Sequence, residues 1–147
     1  MTLSFLSQIF KRAFQGWSRE NEEGLNRSPN KRRGESGELE AYRCLRKNGY
    51  EIVARNYRKR FGEIDLIGWD KGVLAFIEVK FRTGQEHGRP EEAVNLKKQK
   101  QIRRVAREYR NSRHLHDINY RFDIVSIQGT PGQAKIHILK DAFKERP

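Results

Sequence analysis

Apolar residues along the chain switch between strand spacing and helical spacing, and these switches predict the order of the elements. Two runs rich in β-branched residues flank a short Asp/Lys/Gly turn, which is typical of a β-hairpin. In chain order the pattern predicts a helix over 36–49, strands over 50–57, 62–68 and 73–82, a helix over about 90–110, and strands over 120–127 and 134–139. This order indicates an α/β fold, a sandwich whose mixed central β-sheet is flanked by helices.

The pattern also divides the chain into three parts. Residues 1–17 carry apolar side chains at helical spacing and predict an amphipathic helix, residues 18–33 form a polar linker, and residues 34–147 form the main domain. The amphipathic helix has three interpretations: it packs on the domain or on a second copy, it lies on a membrane surface, or it orders only on binding. It lacks the basic start and the cleavage site of a secretory signal.

Three charged residues interrupt the hydrophobic strands of the hairpin. Asp65 lies in the first strand, and Glu78 and Lys80 lie in the most apolar part of the second. Charged groups are costly in a half-buried sheet, so they are usually paired, metal-bound or catalytic. Glu78 and Lys80 are two positions apart and share one face of their strand with Phe76. The hairpin is therefore the first candidate for chemistry.

The register of the hairpin decides whether Asp65 joins the other two charges. If residues 70 and 71 form the tip, Asp65 lies opposite Phe76 and diagonal to Glu78, on the same face. A three-residue loop that uses Gly72 as a bulge would shift the register by one and turn Asp65 away. We favour the convergent register, because strands often bend and bulge beside active sites.

This trio suits phosphodiester hydrolysis. Asp65, Glu78 and the Val79 carbonyl offer hard oxygen ligands to Mg²⁺ or Mn²⁺. Such an ion lowers the pKa of a bound water and neutralises charge on the phosphate. Lys80 is then the candidate to position the attacking water or to stabilise that charge. The alternative is a structural ion-pair cluster without catalysis.

The overall charge favours a polyanionic partner. The net charge is +12 and the isoelectric point is near 10.1, although basic composition alone does not identify the polyanion. A single cysteine, Cys44, excludes an internal disulfide and fits a reducing cytoplasm, and no apolar run is long enough for integral membrane association. The candidate nucleic-acid contacts lie after the first strand, after the hairpin and along the second helix: Arg58, Lys59, Arg60, Arg82, Lys97, Lys98, Gln99, Lys100, Arg103, Arg104 and Arg107.

The hairpin sequence resembles a known family. The segments Gly62-Glu63-Ile64-Asp65-Leu66-Ile67 and Ile77-Glu78-Val79-Lys80 are similar to those of the small YraN-type bacterial family, within the PD-(D/E)XK nuclease superfamily. The likeness continues through 88–94, Lys98-Gln99 and 121–123, and it spans about 34–143. Ile64 stands where the superfamily pattern has proline, a position without a chemical role. The resemblance implies a restriction-endonuclease-like fold, similar to that of archaeal Holliday junction resolvases.

The resemblance also implies roles for residues outside the hairpin. Lys98 would face the catalytic cleft, and Gln99 would assist it. Glu38 lies on the inward side of the first helix by periodicity, and two interpretations of it stay open. It is either a carboxylate favoured by the helix dipole in the first turn, or a third acidic group near the metal, as resolvase-like nucleases have.

The function predicted from the sequence is a Mg²⁺-dependent DNA endonuclease, selective for structure rather than sequence. Branched DNA is a candidate substrate, because the small domain has little with which to read base edges. Cutting both strands of a branch would require a homodimer. The alternatives are a non-catalytic nucleic-acid-binding module with a nuclease fold and a membrane-associated adaptor that uses residues 1–17.

Overall fold

A computed structural model describes residues 29–82, 89, 92, 94–130 and 132–145, with side chains from residue 37 onward. The predicted helix over 1–17 and the linker up to residue 28 lie outside the described residues. The elements are α1 (Pro29–Lys47), β1 (Glu51–Lys59), β2 (Gly62–Asp70), β3 (Val73–Arg82), α2 (Leu96–Ser112), β4 (Tyr120–Gln128) and β5 (Lys135–Phe143). Their order is the predicted order, and the α/β class is confirmed.

The five strands form one mixed sheet in the order β1-β2-β3-β4-β5. Neighbouring strands are antiparallel except β3 and β4, which are parallel and are joined by the crossover through α2. The buried residues of α2, among them Ile102, Val105 and Tyr109, pack in one core cluster. Ala41 and Leu45 of α1 pack in a second cluster. The sheet therefore lies between two helices, each with its own core.

Three element boundaries differ from the prediction. Helix α1 begins at Pro29, so residues 29–33, predicted as linker, are helical; proline is favoured in a first helical turn. Helix α2 begins at Leu96 rather than near residue 90, because the Asn95 side chain caps it by accepting a hydrogen bond from Lys98 N. Strand β5 continues to Phe143, whose ring stacks on Phe122 with centroids 4.8 Å apart.

The tip of the β2–β3 hairpin lies one residue later than predicted. Asp70 pairs with Val73, and the tip residues are Lys71 and Gly72. Both tip residues have positive φ (49° and 81°), as a type I′ turn requires. The register of the paired residues moves by two positions, which preserves the faces of their side chains. Asp65 consequently falls opposite Glu78 rather than opposite Phe76.

Among the described residues, no helix has the length and apolar character needed to cross a membrane.

Candidate active site

Asp65 occupies a fork between β2 and β3. The paired residues of the hairpin run only from the tip to Leu66 and Ile77, one position short of Asp65. Beyond that point the Asp65 carboxylate accepts a hydrogen bond from the Val79 backbone N–H, with a distance of 2.8 Å from Val79 N to Asp65 Oδ2. The side chain thus takes the place of a strand carbonyl. Asp65 is buried, with 9% of its surface exposed.

Glu78 is the most enclosed charge of the site. Its Oε1 atom lies 3.5 Å from Lys80 Nζ and also 3.5 Å from Lys98 Nζ, so a strand lysine and a helix lysine share one oxygen. Its Oε2 atom is buried and has no hydrogen-bond partner among the described residues. A buried carboxylate oxygen without a donor is costly, and it is rare in folded proteins. The predicted convergence of Asp65, Glu78 and Lys80 is present, and Lys98 faces the same site.

Glu78 is costly to ionise, because it is buried beside the charge of Asp65. Burial and the neighbouring charge of Asp65 raise the pKa of Glu78 to about 7. Burial also raises the pKa of Asp65, although the Val79 N–H opposes that shift. Two carboxylates that share a desolvated site behave in this way unless a cation lies between them. The pair therefore has the charge and the hard oxygen donors that suit a divalent cation.

The ligand set available to such a cation is small. No group of three or more His, Cys, Asp or Glu side chains within the described part of the chain is arranged to hold a metal ion. Asp65 and Glu78 would supply two ligands, and the Val79 carbonyl is the further candidate. Because Mg²⁺ keeps several of its waters in proteins, two carboxylates fit it.

Glu38 approaches the pair from α1. Its side chain is half-buried, and burial together with the charge of Asp65 raises its pKa. A hydrogen bond from the Asn56 side chain opposes that shift. Glu38 therefore senses Asp65 electrostatically, but it does not complete a group of three ligands. A role beside the pair, rather than as a direct ligand, agrees with this geometry.

Two of the predicted nucleic-acid contacts, Arg103 and Gln99, have hydrogen-bond partners within the protein. Arg103 is 8% exposed and donates from Nε to the Lys144 carbonyl at 2.8 Å and from Nη2 to Gln99 Oε1 at 3.0 Å. Gln99 donates in turn to the Val94 carbonyl at 2.9 Å. Both side chains join α2 to the segments around it, so they are not available to a phosphate backbone.

Other predicted contacts are exposed but already paired. Arg58 contacts Glu63 at 2.9 Å, Lys59 contacts Glu108 at 3.1 Å, and Arg107 contacts Glu145 at 2.9 Å. Arg82 donates to the Arg89 carbonyl at 2.7 Å. The remaining candidates are exposed and form no ion pair with another described residue: Arg60, Lys97, Lys100 and Arg104.

We call Arg60, Lys97, Lys100 and Arg104 the basic surface. The β1–β2 turn packs directly on α2, since a Cβ atom on Gly62 would lie 3.3 Å from side-chain atoms of Gln101 and Val105. The Arg104 guanidinium lies 4.3 Å from the centre of the Phe61 ring. The turn and the helix therefore form one continuous positive surface, which adjoins the start of the strand that carries Asp65.

Comparison with known proteins identifies the family. Residues 37–127 match the uncharacterised protein family UPF0102. The chain belongs to this family. Similar proteins include the UPF0102 protein of Syntrophus aciditrophicus (40% identity, 78% of this chain and 91% of the relative) and that of Symbiobacterium thermophilum (43%, 77% and 97%). The protein of Koribacter versatilis is 46% identical over 75% of this chain and 78% of its own. The predicted YraN-type resemblance is confirmed, and these names state no activity.

A second buried polar cluster of this UPF0102 chain was missed by the sequence analysis. Arg121 donates to Asp70 at 2.6 Å, to Asp123 at 2.9 Å and to the Tyr50 hydroxyl at 3.0 Å, and Lys140 contacts Asp70 at 2.7 Å. We call these five residues the Arg121 cluster. The chain carries little signal for it, because its members come from three strands, β2, β4 and β5, and the turn after α1.

The left-handed backbone of Asn56, with a φ of +49°, was also not predicted from the sequence.

Proposed function

We propose that this protein is a metal-dependent phosphodiesterase that cuts DNA as an endonuclease. The observation that carries the proposal is the buried pair of Asp65 and Glu78, with an unpartnered Glu78 oxygen and two lysines on the other. In structural ion pairs the buried carboxylate oxygens normally have hydrogen-bond partners. A Glu78 oxygen without a hydrogen-bond partner, next to the Asp65 carboxylate, is instead suited to bind a metal ion.

The two carboxylates and the two lysines have different roles in the proposed chemistry. Asp65 and Glu78 would hold Mg²⁺ or Mn²⁺, with the Val79 carbonyl as a further ligand. The bound ion would supply a water of lowered pKa and neutralise charge on the phosphate. Lys80 and Lys98 have 34% and 25% of their side-chain surfaces exposed, so both can reach a phosphate while they remain beside Glu78. Their charges would stabilise the negative charge that builds during cleavage.

The basic surface supports DNA as the substrate. Arg60, Lys97, Lys100 and Arg104 are exposed and lie on the turn and the helix that border the site. Cations of this kind contact the phosphate backbone, which carries no base sequence. We therefore propose selection by DNA structure, with branched DNA as the candidate and with two copies of the chain needed to cut both strands of a branch.

One observation favours a second candidate function, a nucleic-acid-binding module without catalysis. Lys80 and Lys98 both lie within ion-pair distance of Glu78, so they compensate its charge without any metal. In that case the carboxylates and lysines hold β3 to α2, and only the basic surface acts.

Cleavage of labelled duplex, single-stranded, flapped and four-way-junction DNA with Mg²⁺ or Mn²⁺ separates the two functions. We expect the wild type to cut at least one substrate, Glu78→Gln to bind that substrate without cutting it, and the exposed control Glu51→Gln to behave as wild type. Binding without cleavage by all three proteins would overturn the nuclease proposal in favour of the binding module.

A further inference from the structure

Phe81 is an exposed aromatic residue in the strand that carries the candidate site. It lies in β3 directly after Lys80 and three positions after Glu78, and 39% of its surface is exposed. Among the described residues the other exposed large hydrophobic side chains, Leu39 and Leu96, are aliphatic. A single exposed apolar side chain is common on protein surfaces. What distinguishes Phe81 is therefore the way in which its ring is held.

The ring of Phe81 is held against a glycine of α1. Ile77 and Val79 of β3 pack in the same core cluster as Ala41 and Leu45 of α1, and Phe81 continues that face of the strand. A Cβ atom on Gly37 of α1 would overlap the Cζ and Cε atoms of the ring. Glycine is unfavourable inside a helix, where alanine is the most favourable residue. Gly37 therefore gives the ring room at a cost in helix propensity.

The faces of the Phe81 ring have no aromatic or cationic stacking partner among the described residues. Other aromatic rings have one: the Arg104 guanidinium lies 4.3 Å from the centre of the Phe61 ring, and the Phe143 ring stacks on Phe122. Gly37 contacts the tip of the Phe81 ring rather than a face. The ring is thus held by its edge and is partly exposed. The face of an aromatic ring is the surface on which a nucleic-acid base stacks.

A base that stacks on Phe81 has to be unpaired. Inside a duplex each base is covered on both sides by its neighbours, whereas the bases of single strands and loops can be splayed onto an aromatic side chain. Three strand residues span roughly 10 Å, which is no more than about three steps of a DNA strand at 3.4 Å each. The base would therefore lie close in sequence to a phosphate held at Glu78 and Lys80.

We propose that Phe81 is a specificity-determining residue that stacks on an unpaired base beside the phosphate to be cut, and that Gly37 provides the room for its ring. The inference rests on the proposed function, because DNA phosphates must reach Glu78 and Lys80 for a neighbouring base to reach Phe81. It narrows the substrate from branched DNA in general to DNA with unpaired bases at the branch, such as a flap.

Binding without cleavage tests the role of the ring. Fluorescence anisotropy in EDTA compares the affinity of the full chain for a flapped DNA and for the same duplex without its flap. Because stacking on an aromatic side chain contributes strongly to the binding of unpaired bases, Phe81→Leu should weaken flap binding about tenfold and leave duplex binding unchanged. Phe81→Tyr keeps a ring and should bind both DNAs as the wild type does.

Leu96→Ala is the matched control, since it removes an exposed apolar side chain from α2 and should change neither affinity. Equal losses for flap and duplex in Phe81→Leu, or no loss for either, overturn the proposal.

Gly37→Ala tests the seat of the ring without changing the ring itself. Alanine favours the helix, so the variant should fold, but its methyl group would take the position of the ring tip and displace the ring. We expect flap binding to weaken about tenfold and to weaken no further when Gly37→Ala is added to Phe81→Leu, because both changes act on one contact. Wild-type affinity in Gly37→Ala, or losses that add in the double variant, overturns the role of Gly37.

The outcomes also separate this inference from the proposed function. A wild type that cuts no DNA with Mg²⁺ or Mn²⁺ overturns the nuclease proposal, and anisotropy in EDTA still decides whether Phe81 recognises unpaired bases. Conversely, a wild type that cuts the flapped DNA, with binding and cleavage unchanged in Phe81→Leu, overturns only the inference about Phe81.

Discussion

Strand β2 carries two buried aspartates, five residues apart, in opposite electrostatic situations. Asp70 belongs to the Arg121 cluster, where Arg121 and Lys140 lie 2.6 Å and 2.7 Å from one of its oxygens. Burial alone would raise the pKa of Asp70, but the hydrogen bonds from Lys140 and Arg121 outweigh it and lower that pKa. At Asp65, by contrast, the effect of burial outweighs that of the hydrogen bond from Val79 N–H, and the pKa is raised.

The difference lies in how completely each cluster satisfies its own charges. In the Arg121 cluster two cations face two carboxylates at hydrogen-bond distance, and Asp123 also accepts from the Asp141 N–H at 2.9 Å. At the candidate site the lysines stay 3.5 Å away, and Glu78 Oε2 has no partner among the described residues. A saturated cluster stabilises the fold, whereas an unsaturated one keeps binding capacity for a ligand.

The largest expected effect is on catalysis at the unsaturated cluster. Glu78→Gln, or removal of divalent ions with EDTA, should lower the rate of DNA cleavage about 10³-fold, because metal-based stabilisation of transition-state charge is worth several kcal/mol. Asp70→Asn should retain cleavage in the fraction of protein that stays folded. Single-turnover cleavage rates of Glu78→Gln and Asp70→Asn, each compared with the wild type, test this prediction. Equal losses in the two variants would remove the functional distinction between the clusters.

The largest expected effect on stability belongs to the saturated cluster. Arg121→Ala leaves Asp70 and Asp123 buried without their principal cation, which should cost about 3–5 kcal/mol of unfolding free energy. Lys140 is half exposed, so Lys140→Ala should cost far less. Urea unfolding of both variants measures the two values. Equal stability of Arg121→Ala and Lys140→Ala would contradict the stabilising role of the Arg121 cluster.

In metal-free protein, the two clusters should differ in how they make the free energy of unfolding depend on pH. The pKa of Glu78 is raised in the folded state from 4.5 to about 7, so its stabilising contribution is complete below pH 4.5 and is lost as pH rises through 7. The loss should amount to roughly 3 kcal/mol. Glu78→Gln cannot ionise, so urea unfolding from pH 5 to 8 should show the wild type losing stability relative to it. Parallel curves would contradict the raised pKa.

Asp70 should show the opposite dependence. Its pKa is lowered in the folded state, so its contribution is present above pH 3.8 and disappears as pH falls below that value. Unfolding curves of Asp70→Asn against wild type below pH 4 supply this second half of the comparison.

The smallest expected effect is on DNA affinity. Arg104→Ala removes one cation of the basic surface and should reduce the dependence of log K on log salt by about one unit. Lys140→Ala removes the same charge beside the Arg121 cluster and should leave that slope unchanged. Fluorescence anisotropy titrations at several salt concentrations test this. Equal slopes for the two variants would mean that DNA affinity depends on the net charge of the protein and not on the basic surface.

Much of the candidate site could be predicted because strand periodicity is a local property. The two-residue spacing of Glu78 and Lys80 fixed their common face, and the tip that moved by one residue still kept Asp65 on that face. Helical spacing likewise predicted the buried residues of α2, including Ile102 and Tyr109. Each of these inferences needs only the position of a residue within its own element.

Other features could not be predicted because they depend on a distant part of the chain. Arg103 looks like one more cation on a basic helix, but it turns inward and donates to the Lys144 carbonyl and to Gln99 Oε1. Asp70 looks like a turn residue until β4 and β5 bring Arg121 and Lys140 beside it. The left-handed backbone of Asn56, with a φ of +49°, likewise has no counterpart in the local sequence pattern.

The sequence by itself determined the order of the elements, the faces of the strands and the acidic pair that could hold a metal. The tertiary structure alone decided which charges are satisfied. Glu78 Oε2 lacks a donor and one oxygen of Asp70 has two, although both residues are carboxylates in hydrophobic strands. The reason is physical: periodicity arises within one element, whereas the solvation and pairing of a buried charge depend on groups brought close only by folding.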